Sequence, residues 1–291
     1  MRVLITGCYG QVGHCLVQQL TGKAELLAVD REQLDITNEG AVIDAVAEFK
    51  PDVIINAAAH TAVDKAEEEL ELSYAINRDG PKYLAKAANK IGAAILHIST
   101  DYVFAGSKDG LYLESDETDP QGVYGKSKLA GEEAVIEACS KHVILRTAWV
   151  FGQHGNNFVK TMLRLSKDRD SLGIVGDQFG GPTYAGDIAK ALVTISNQIV
   201  KGNDVEYGVY HFSGAPHVSW FEFAQVIFDE AVKQNLMVTA PQLNSITTSD
   251  YPTPAKRPAN SKLDTSKITQ GFNIQASDWR SALADIKPYT N

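Results

Sequence analysis

Cysteine is scarce in this sequence of 291 residues, with only Cys8, Cys15 and Cys139 present. No two of them form a C-x-x-C pair, and their number is odd. This usage favours reduced, structural thiols over a disulfide framework or a redox motif.

Long apolar runs are also lacking, and no stretch is long enough to span a bilayer. The first ten residues, MRVLITGCYG, enter a strand-like apolar run and contain no small-residue cleavage site typical of a signal peptide. The sequence therefore predicts a cytoplasmic protein with no membrane partner.

Basic residues are outnumbered, with 27 Lys and Arg against 36 Asp and Glu, which gives a net charge of −9. No basic run exceeds two residues, so the surface is expected to repel nucleic acid and anionic lipid. Hydrophobic residues make up 44% and charged residues 22% of the chain, the balance of a globular protein with a real core. These values exclude intrinsic disorder and low-complexity architecture.

The first half of the chain alternates short apolar runs with longer helical patterns. Strands are predicted at 2–5, 26–29, 52–56, 94–99 and 142–146, and helices at 10–20, 39–49, 63–69, 72–91 and 125–139. Strands that are apolar throughout and separated by helices indicate a parallel sheet covered on both faces. We expect an α/β fold with a doubly wound, Rossmann-like sheet.

The second half breaks this rhythm, which predicts a smaller C-terminal α/β substrate domain. Helices are expected at 157–167, 185–198 and 219–233, the last with a capping box formed by Ser219 and Glu222, and a strand at 208–212. Residues 1–151 would form the dinucleotide-binding domain, with 184–204 packing back on it. Residues 152–183 and 205–291 would form the second domain.

The first motif is a G-x-x-G-x-x-G loop formed by Gly7, Gly10 and Gly13 between a predicted strand and a predicted helix. Glycines there permit a tight turn, close approach of the backbone to a pyrophosphate, and helix–strand packing. The helix N-terminus adds N–H groups and a favourable dipole. A merely tight turn is the alternative, but the position of the motif favours a dinucleotide site.

Asp30 ends the second predicted strand, 17 residues after Gly13, where a carboxylate suits the ribose hydroxyls of NAD. Arg31 beside it could neutralise a 2′-phosphate, so the pair predicts use of both NADH and NADPH. The alternative is a solvated carboxylate at the end of a strand. Small residues at 57–59 follow the third strand and would let the backbone approach a flat cofactor or pack closely.

Tyr124 and Lys128 stand four residues apart on a predicted helix and therefore on one face. An ammonium near a tyrosine hydroxyl favours the phenolate and lowers the pKa of the tyrosine. Such a tyrosine can give a proton to a carbonyl oxygen near neutral pH. Thr100, at the carboxyl end of the fourth predicted strand, can hydrogen-bond the same oxygen. Together these three residues predict a carbonyl reductase.

The glycine loop, the strand-end threonine and Tyr-x-x-x-Lys resemble those of the extended short-chain dehydrogenase/reductases. Within that superfamily the chain is similar to the dTDP-4-dehydrorhamnose reductases over nearly its whole length. The matching positions are 7–13, 34–37, 56–67, Asn77, 99–104, 124–132, 146–150, Asp177, Gln178, 181–183, Arg257, Pro258, Ser261 and Leu263.

The resemblance implies a role for each matching residue. Tyr124 would be the proton donor, Lys128 would bind the nicotinamide ribose and tune Tyr124, and Thr100 would polarise the keto oxygen. The cofactor would be lined by Gly7, Gly10, Gln11, Val12, Gly13, Asp30, Arg31, Asp35, Ile36, Ala59, His60, Thr61, Tyr124 and Lys128. The sugar nucleotide would meet Thr100, Asp101, Tyr102, Trp149 and Arg257.

Two of these assignments have alternatives. Trp149 could be a core aromatic after the fifth strand, and Arg257 could have a structural surface role instead of binding the pyrophosphate of dTDP. The implied reaction is NAD(P)H-dependent reduction of dTDP-4-dehydro-6-deoxy-L-mannose to dTDP-L-rhamnose. A sister reductase of other stereochemistry and a non-catalytic NADP-binding regulatory subunit are the alternatives. A dehydratase is disfavoured because Tyr102 stands where that branch carries a glutamate.

Cys15 departs from some members of the resembled family, which carry at that position a glutamate that helps to build a metal-bridged dimer. A thiol is a poor ligand for Mg²⁺, which prefers oxygen. We therefore expect no metal, and a monomer or a weak, metal-independent homodimer.

Overall fold

The apolar runs of the first half form parallel strands in the computed structural model, which describes residues 1–290. The strands of this range are β1 (Arg2–Thr6), β2 (Glu25–Val29), β3 (Val53–Asn56), β4 (Ala94–Thr100), β5 (His142–Thr147), β6 (Val150–Phe151), β7 (Ser171–Val175), β8 (Phe179–Gly180), β9 (Thr183–Tyr184), β10 (Gly208–His211), β11 (Val218–Ser219), β12 (Gln242–Ile246) and β13 (Asn260–Ser261). The α-helices are α1 (Gln11–Leu20), α2 (Glu39–Phe49), α3 (Val63–Ala66), α4 (Leu70–Tyr74), α5 (Gly80–Ile91), α6 (Val123–Ala138), α7 (Phe158–Leu165), α8 (Ala185–Val200), α9 (Trp220–Lys233), α10 (Ser266–Phe272) and α11 (Trp279–Leu283).

Six strands form one parallel sheet in the order β10-β5-β4-β3-β1-β2. Helices α1 and α8 cover one face, and α2, α5 and α6 cover the other. On β1 the side chains of Val3 and Ile5 enter the first layer and Leu4 enters the second, all fully buried. Burial on both faces explains why the strands are apolar throughout. The predicted doubly wound parallel sheet is confirmed.

Strand β10 belongs to a different part of the fold from the one predicted for it. It falls within 205–291, which we assigned to the second domain, yet it pairs in parallel with β5 as an edge strand of the large sheet. Tyr210 and Phe212 bury their rings in the core layer under α8. The chain therefore returns to the sheet before it enters α9, and the division into two domains otherwise stays a prediction.

The rest of the second half has a separate apolar core. It is built from one face each of α7, α9 and α11, with Leu172 and Ile174 of β7 facing them. Helix α9 begins with the predicted capping box, in which Ser219 and Glu222 satisfy each other's backbone N–H groups. This half also contains two small two-stranded sheets, β12–β7 and β6–β9, and one three-stranded sheet, β11–β8–β13.

The predicted helix over 72–91 is interrupted. Helix α4 passes through one π-helical turn, Ala75–Asp79, before α5 begins. In that turn Asn77 accepts a hydrogen bond from the backbone of His60 at 2.8 Å and donates to Ser127 Oγ at 3.0 Å. A Cβ atom at Gly131 would lie 2.0 Å from the carbonyl oxygen of Asn77, so α6 packs directly on the widened turn. Hydropathy periodicity does not predict such a turn, because the turn depends on the hydrogen bonds of Asn77 and not on the spacing of apolar residues.

No helix within residues 1–290 combines the length and the apolar character needed to cross a membrane.

Candidate active site

The glycine loop joins β1 to α1 in a geometry that other residues could not adopt. Gly7 has a φ of +69°, and a Cβ atom there would lie 2.7 Å from the backbone nitrogen of Ala58. A Cβ atom at Gly13 would lie 2.0 Å from the Gly7 carbonyl oxygen. No side chain caps the N-terminus of α1, so its first N–H groups are available to a phosphate.

A cavity of about 320 Å³ opens beside this loop, at the carboxyl ends of the strands. Its walls include seven of the residues predicted to line the cofactor: Gly7, Gly10, Asp30, Arg31, Asp35, Ile36 and Ala59. Ala57, Ala58, Leu72, Ala75 and Ile76 add an apolar wall. A cradle of glycines and alanines, bordered by a carboxylate and a guanidinium, fits the nucleotide half of a nicotinamide cofactor.

The two carboxylates of this cavity also organise their own loop. Asp30 Oδ1 accepts hydrogen bonds from the backbone N–H groups of Glu32 and Gln33 at 3.0 and 3.2 Å. Asp35 accepts from the backbone N–H and the hydroxyl of Thr37, and these bonds lower the pKa of Asp35. Both side chains are thereby fixed before any ligand arrives.

Four residues predicted to line the cofactor have side chains that point elsewhere. Val12 is buried in the core under α1, and Gln11 accepts a hydrogen bond from Asn157 at 3.0 Å. The imidazole of His60 contacts Ser73 at 2.9 Å and Glu69 at 3.1 Å, and Thr61 is exposed. Any contact of Val12 or His60 with a cofactor would therefore use the backbone.

The three residues predicted to be catalytic meet at the carboxyl end of β4. Thr100 ends the strand, Tyr124 lies in the first turn of α6, and Lys128 lies one turn further along. The side chain of Thr100 lies close enough to Tyr124 to lower its pKa, and the ring of Tyr102 packs edge-on against Tyr124 with 5.4 Å between centroids. The strand and the helix thus bring together residues that lie far apart in the sequence.

The expected effect of Lys128 on Tyr124 is not found. Burial raises the pKa of Tyr124 above its ordinary value, and only the nearby Thr100 side chain opposes this shift. Lys128 Nζ instead donates to the carbonyl oxygen of Ile98 at 2.7 Å. Burial lowers the pKa of Lys128 to about 8, against the opposing field of Glu132. Lys128 thus has its hydrogen bond to the backbone of β4 in this structure, and its effect on the pKa of Tyr124 during the reaction stays a prediction.

A second cavity, of about 420 Å³, lies next to Tyr102. Trp149 and Trp220 stack in its wall with 3.5 Å between ring centroids and 9° between planes. Trp149 thus lines a cavity and also packs against the small apolar cluster around Phe104 and Tyr112. Arg257 also lines the cavity, where it donates to Asp64 at 2.6 Å and to the hydroxyl of Tyr102 at 3.2 Å.

Asp101 is buried beneath this cavity. Its carboxylate accepts hydrogen bonds from the hydroxyls of Thr100 and Ser261. Burial raises the pKa of Asp101 to about 6, while these bonds oppose the shift. The side chain therefore holds Thr100 and Ser261 in place, and only Ser261 of the three reaches the cavity wall.

The whole chain matches known proteins. The sequence profile of the RmlD substrate binding domain matches residues 1–289. The dTDP-4-dehydrorhamnose reductase of Aggregatibacter actinomycetemcomitans is 56% identical over 290 residues, which cover 99% of each chain. The chain belongs to the dTDP-4-dehydrorhamnose reductase family.

Solved structures of this family have the same fold. A dTDP-4-dehydrorhamnose reductase from Clostridium acetobutylicum has a TM-score of 0.89 and 43% identity, with 98% of each chain covered. That from Bacillus anthracis, solved in complex with NADP, also has a TM-score of 0.89, with 38% identity and coverage of 97% of this chain and 96% of that one.

Sequence reasoning missed much of the second cavity. Phe158, Arg169, Trp220 and Tyr251 line it, and all four come from the second half of the chain. Trp220 directly follows the helix cap Ser219, so the sequence predicts the helix on which Trp220 lies. It does not predict that the Trp220 ring stacks on Trp149. No motif spacing links the two tryptophans.

Proposed function

We propose that the chain reduces the 4-keto group of dTDP-4-dehydro-6-deoxy-L-mannose to dTDP-L-rhamnose with NADPH or NADH, the last step of dTDP-rhamnose biosynthesis. The observation that carries this proposal is the proximity of the Thr100 and Tyr124 side chains at the carboxyl end of β4. The pair lies beside Tyr102, which lines an aromatic cavity. The full-length identity to a reductase of that name supports the same substrate.

The nicotinamide cofactor, when bound, supplies the hydride. The N–H groups at the start of α1 hold its pyrophosphate, and Asp30 binds the hydroxyls of the adenosine ribose. Lys128, one helical turn beyond Tyr124, binds the hydroxyls of the nicotinamide ribose.

The hydroxyls of Thr100 and Tyr124 both donate to the keto oxygen of the sugar. The Thr100 hydroxyl turns to it from Asp101, to which it donates at 3.1 Å in the structure. Tyr124 Oη then transfers its proton to the oxygen as negative charge develops there. The high pKa of Tyr124 keeps this proton in place until that charge appears.

The second cavity holds the dTDP sugar. Arg257 offers a guanidinium to the pyrophosphate, and its bonds to Asp64 and Tyr102 fix it in the wall. The stacked rings of Trp149 and Trp220 provide a flat apolar surface that excludes water from the sugar.

The test is a turnover assay with purified protein, in which oxidation of NADPH is followed with and without dTDP-4-dehydro-6-deoxy-L-mannose. We expect oxidation that depends on the sugar nucleotide and a product that coelutes with authentic dTDP-L-rhamnose. A product of the opposite configuration at C4 would identify a sister reductase. No oxidation with either cofactor would favour a regulatory subunit.

Arg31 gives a prediction on cofactor choice. It borders the first cavity beside Asp30 and is exposed. A charged hydrogen bond to a phosphate contributes roughly 1.5–3 kcal/mol, so Arg31→Ala should move the ratio of kcat/KM for NADPH over NADH about tenfold or more toward NADH. Arg280→Ala, which removes an exposed arginine from α11, is the control. Equal losses for both cofactors would show that Arg31 does not meet the 2′-phosphate.

Cys15 gives a prediction on assembly. The thiol is buried, and burial raises its pKa to about 11, so it offers no thiolate or oxygen donor. We propose that the chain is a monomer or a weak, metal-independent dimer. Light scattering should therefore give one molar mass with and without EDTA, and turnover should be unchanged by the chelator. Dissociation on chelation that Mg²⁺ reverses would contradict this proposal.

We further propose that the enzyme acts in the cytoplasm on its small-molecule substrate. The net charge of −9 supports the absence of nucleic-acid and membrane partners.

A further inference from the structure

A chain of four buried polar side chains runs beneath the catalytic tyrosine. It begins at Thr6 on β1, passes through Asn56 on β3 and His97 on β4, and ends at Lys128 on α6. The distances are 2.6 Å from Thr6 Oγ1 to Asn56 Oδ1, 2.9 Å from Asn56 Nδ2 to His97 Nδ1, and 3.4 Å from His97 Nε2 to Lys128 Nζ. Each residue is 2% exposed or less, so the chain is shielded from water.

The direction of these hydrogen bonds is fixed by the backbone. The N–H group of Ala58 can only donate, and it lies 3.2 Å from Asn56 Oδ1, which also receives the Thr6 hydroxyl. The amide NH₂ of Asn56 must therefore face His97, and His97 Nδ1 must accept. The proton of the neutral imidazole is then on Nε2, the atom that faces Lys128.

This arrangement opposes a positive charge on Lys128. A protonated Nε2 directs the positive end of an N–H dipole at Nζ over 3.4 Å, long for a hydrogen bond but close for two donors. A neutral amine, which has a lone pair, meets the same N–H favourably. The imidazole itself stays neutral because burial and the Lys128 charge lower the pKa of His97.

We propose that Asn56 and His97 are positioning residues that set the protonation equilibrium of Lys128 and, through it, the pH range in which Tyr124 delivers its proton. This inference rests on the proposed function for the role of Tyr124. Asn56 and His97 are both fully buried and His97 contacts Lys128, so both act through Lys128 and not on the ligands.

Other charged groups surround the amine. Glu132 on the same helix favours the ammonium, but it is paired with Arg146 of β5 at 2.7 Å. Asp101 after β4 acts on Tyr124, and Tyr124 itself lies one turn away. These groups are unchanged by a substitution at position 56, so a shift in the pKa of Lys128 caused there comes from the imidazole or from the substituted side chain itself.

Asn56→Asp is the decisive variant because it reverses the hydrogen bonds while it keeps the shape of the side chain. The carboxylate accepts from Thr6, Ala58 and His97 Nδ1, which moves the imidazole proton to Nδ1 and turns Nε2 into an acceptor. Lys128 should then keep its proton to a higher pH. We expect the high-pH limb of kcat/KM, near pH 8 in the native chain, to move up by about one unit or more.

His97→Phe provides the matched background. A phenyl ring fills the space of the imidazole, but it has no ring proton that could move from one nitrogen to the other. Adding Asn56→Asp to His97→Phe should leave the high-pH limb of kcat/KM at the pH found for His97→Phe alone. A shift of equal size in both backgrounds would mean that the new carboxylate acts on Lys128 directly, and would overturn the proposal.

Nuclear magnetic resonance keeps the test independent of turnover. In ¹⁵N-histidine-labelled native protein, the His97 ring, assigned by its loss in His97→Phe, should be neutral with its proton on Nε2. The ¹³Cε signal of Lys128, assigned by its loss in Lys128→Met, should titrate near pH 8, and higher in Asn56→Asp. A proton on Nδ1, or an unshifted Lys128 titration, would overturn the proposal. A wrong substrate would abolish turnover and leave these signals as stated.

Discussion

Replacement of Tyr124 by phenylalanine is expected to lower kcat by roughly 10²–10⁴-fold, the usual contribution of a general acid. The variant loses one hydroxyl, which is the proton donor and the partner of Thr100, and keeps the ring that packs against Tyr102. NADPH affinity, followed by fluorescence titration, and the unfolding temperature should stay near those of the native chain.

Tyr207→Phe is the matched control, because this tyrosine packs near α8 on the other side of the sheet and should tolerate the change without loss of rate. Turnover of Tyr124→Phe close to that of Tyr207→Phe would contradict the role of Tyr124.

Glu132→Ala should have the largest effect on stability. Glu132 accepts three hydrogen bonds from Arg146, at 2.9, 3.2 and 2.7 Å, and one from Ser99 at 2.5 Å, with both charged side chains buried. Removing the carboxylate leaves the guanidinium buried without its counter-charge, which costs about 3–5 kcal/mol of unfolding free energy. Urea denaturation measures the loss.

Two further variants test the origin of this loss. Glu133→Ala changes the exposed neighbour on the same helix and should alter the unfolding free energy by about 0.5 kcal/mol or less. Replacing both partners, as in Glu132→Leu with Arg146→Met, should cost less than Glu132→Ala because no charge is left unpaired. If the double variant is the less stable one, the pair itself and not the unpaired charge carries the stability.

The large sheet was predictable because its determinants are local. Each strand of the first half is a short apolar run, and the glycines of the first loop are required by contacts within a few residues of the turn and by one close neighbour, Ala58. Thr100 and Tyr124 were predictable for the same reason, since each stands at the end of an element that the hydropathy pattern delimits.

The π-helical turn and the edge strand β10 depend on partners that the sequence does not reveal. The turn is held by Asn77 through His60 and Ser127, far apart in the chain. Strand β10 was recognised as a strand, but only its pairing with β5 assigns it to the large sheet.

The electrostatics of the catalytic group were not predictable from spacing. Tyr124 and Lys128 stand four positions apart, which indicated a direct effect of the amine on the phenol. In the folded chain the amine bonds to Ile98 and contacts His97, and burial decides the pKa of both residues. Burial and the position of the proton on His97 are properties of the packed core, and a sequence motif does not predict them.

Isotope transfer tests the central claim most directly. Purified protein is incubated with dTDP-4-dehydro-6-deoxy-L-mannose and NADPH that carries deuterium at the transferable position of the nicotinamide, and the product is analysed by mass spectrometry and nuclear magnetic resonance. The account predicts dTDP-L-rhamnose with a single deuterium at C4 of the sugar, and almost none formed by Tyr124→Phe. An unreduced sugar, or deuterium at C4 in the opposite configuration, would contradict it.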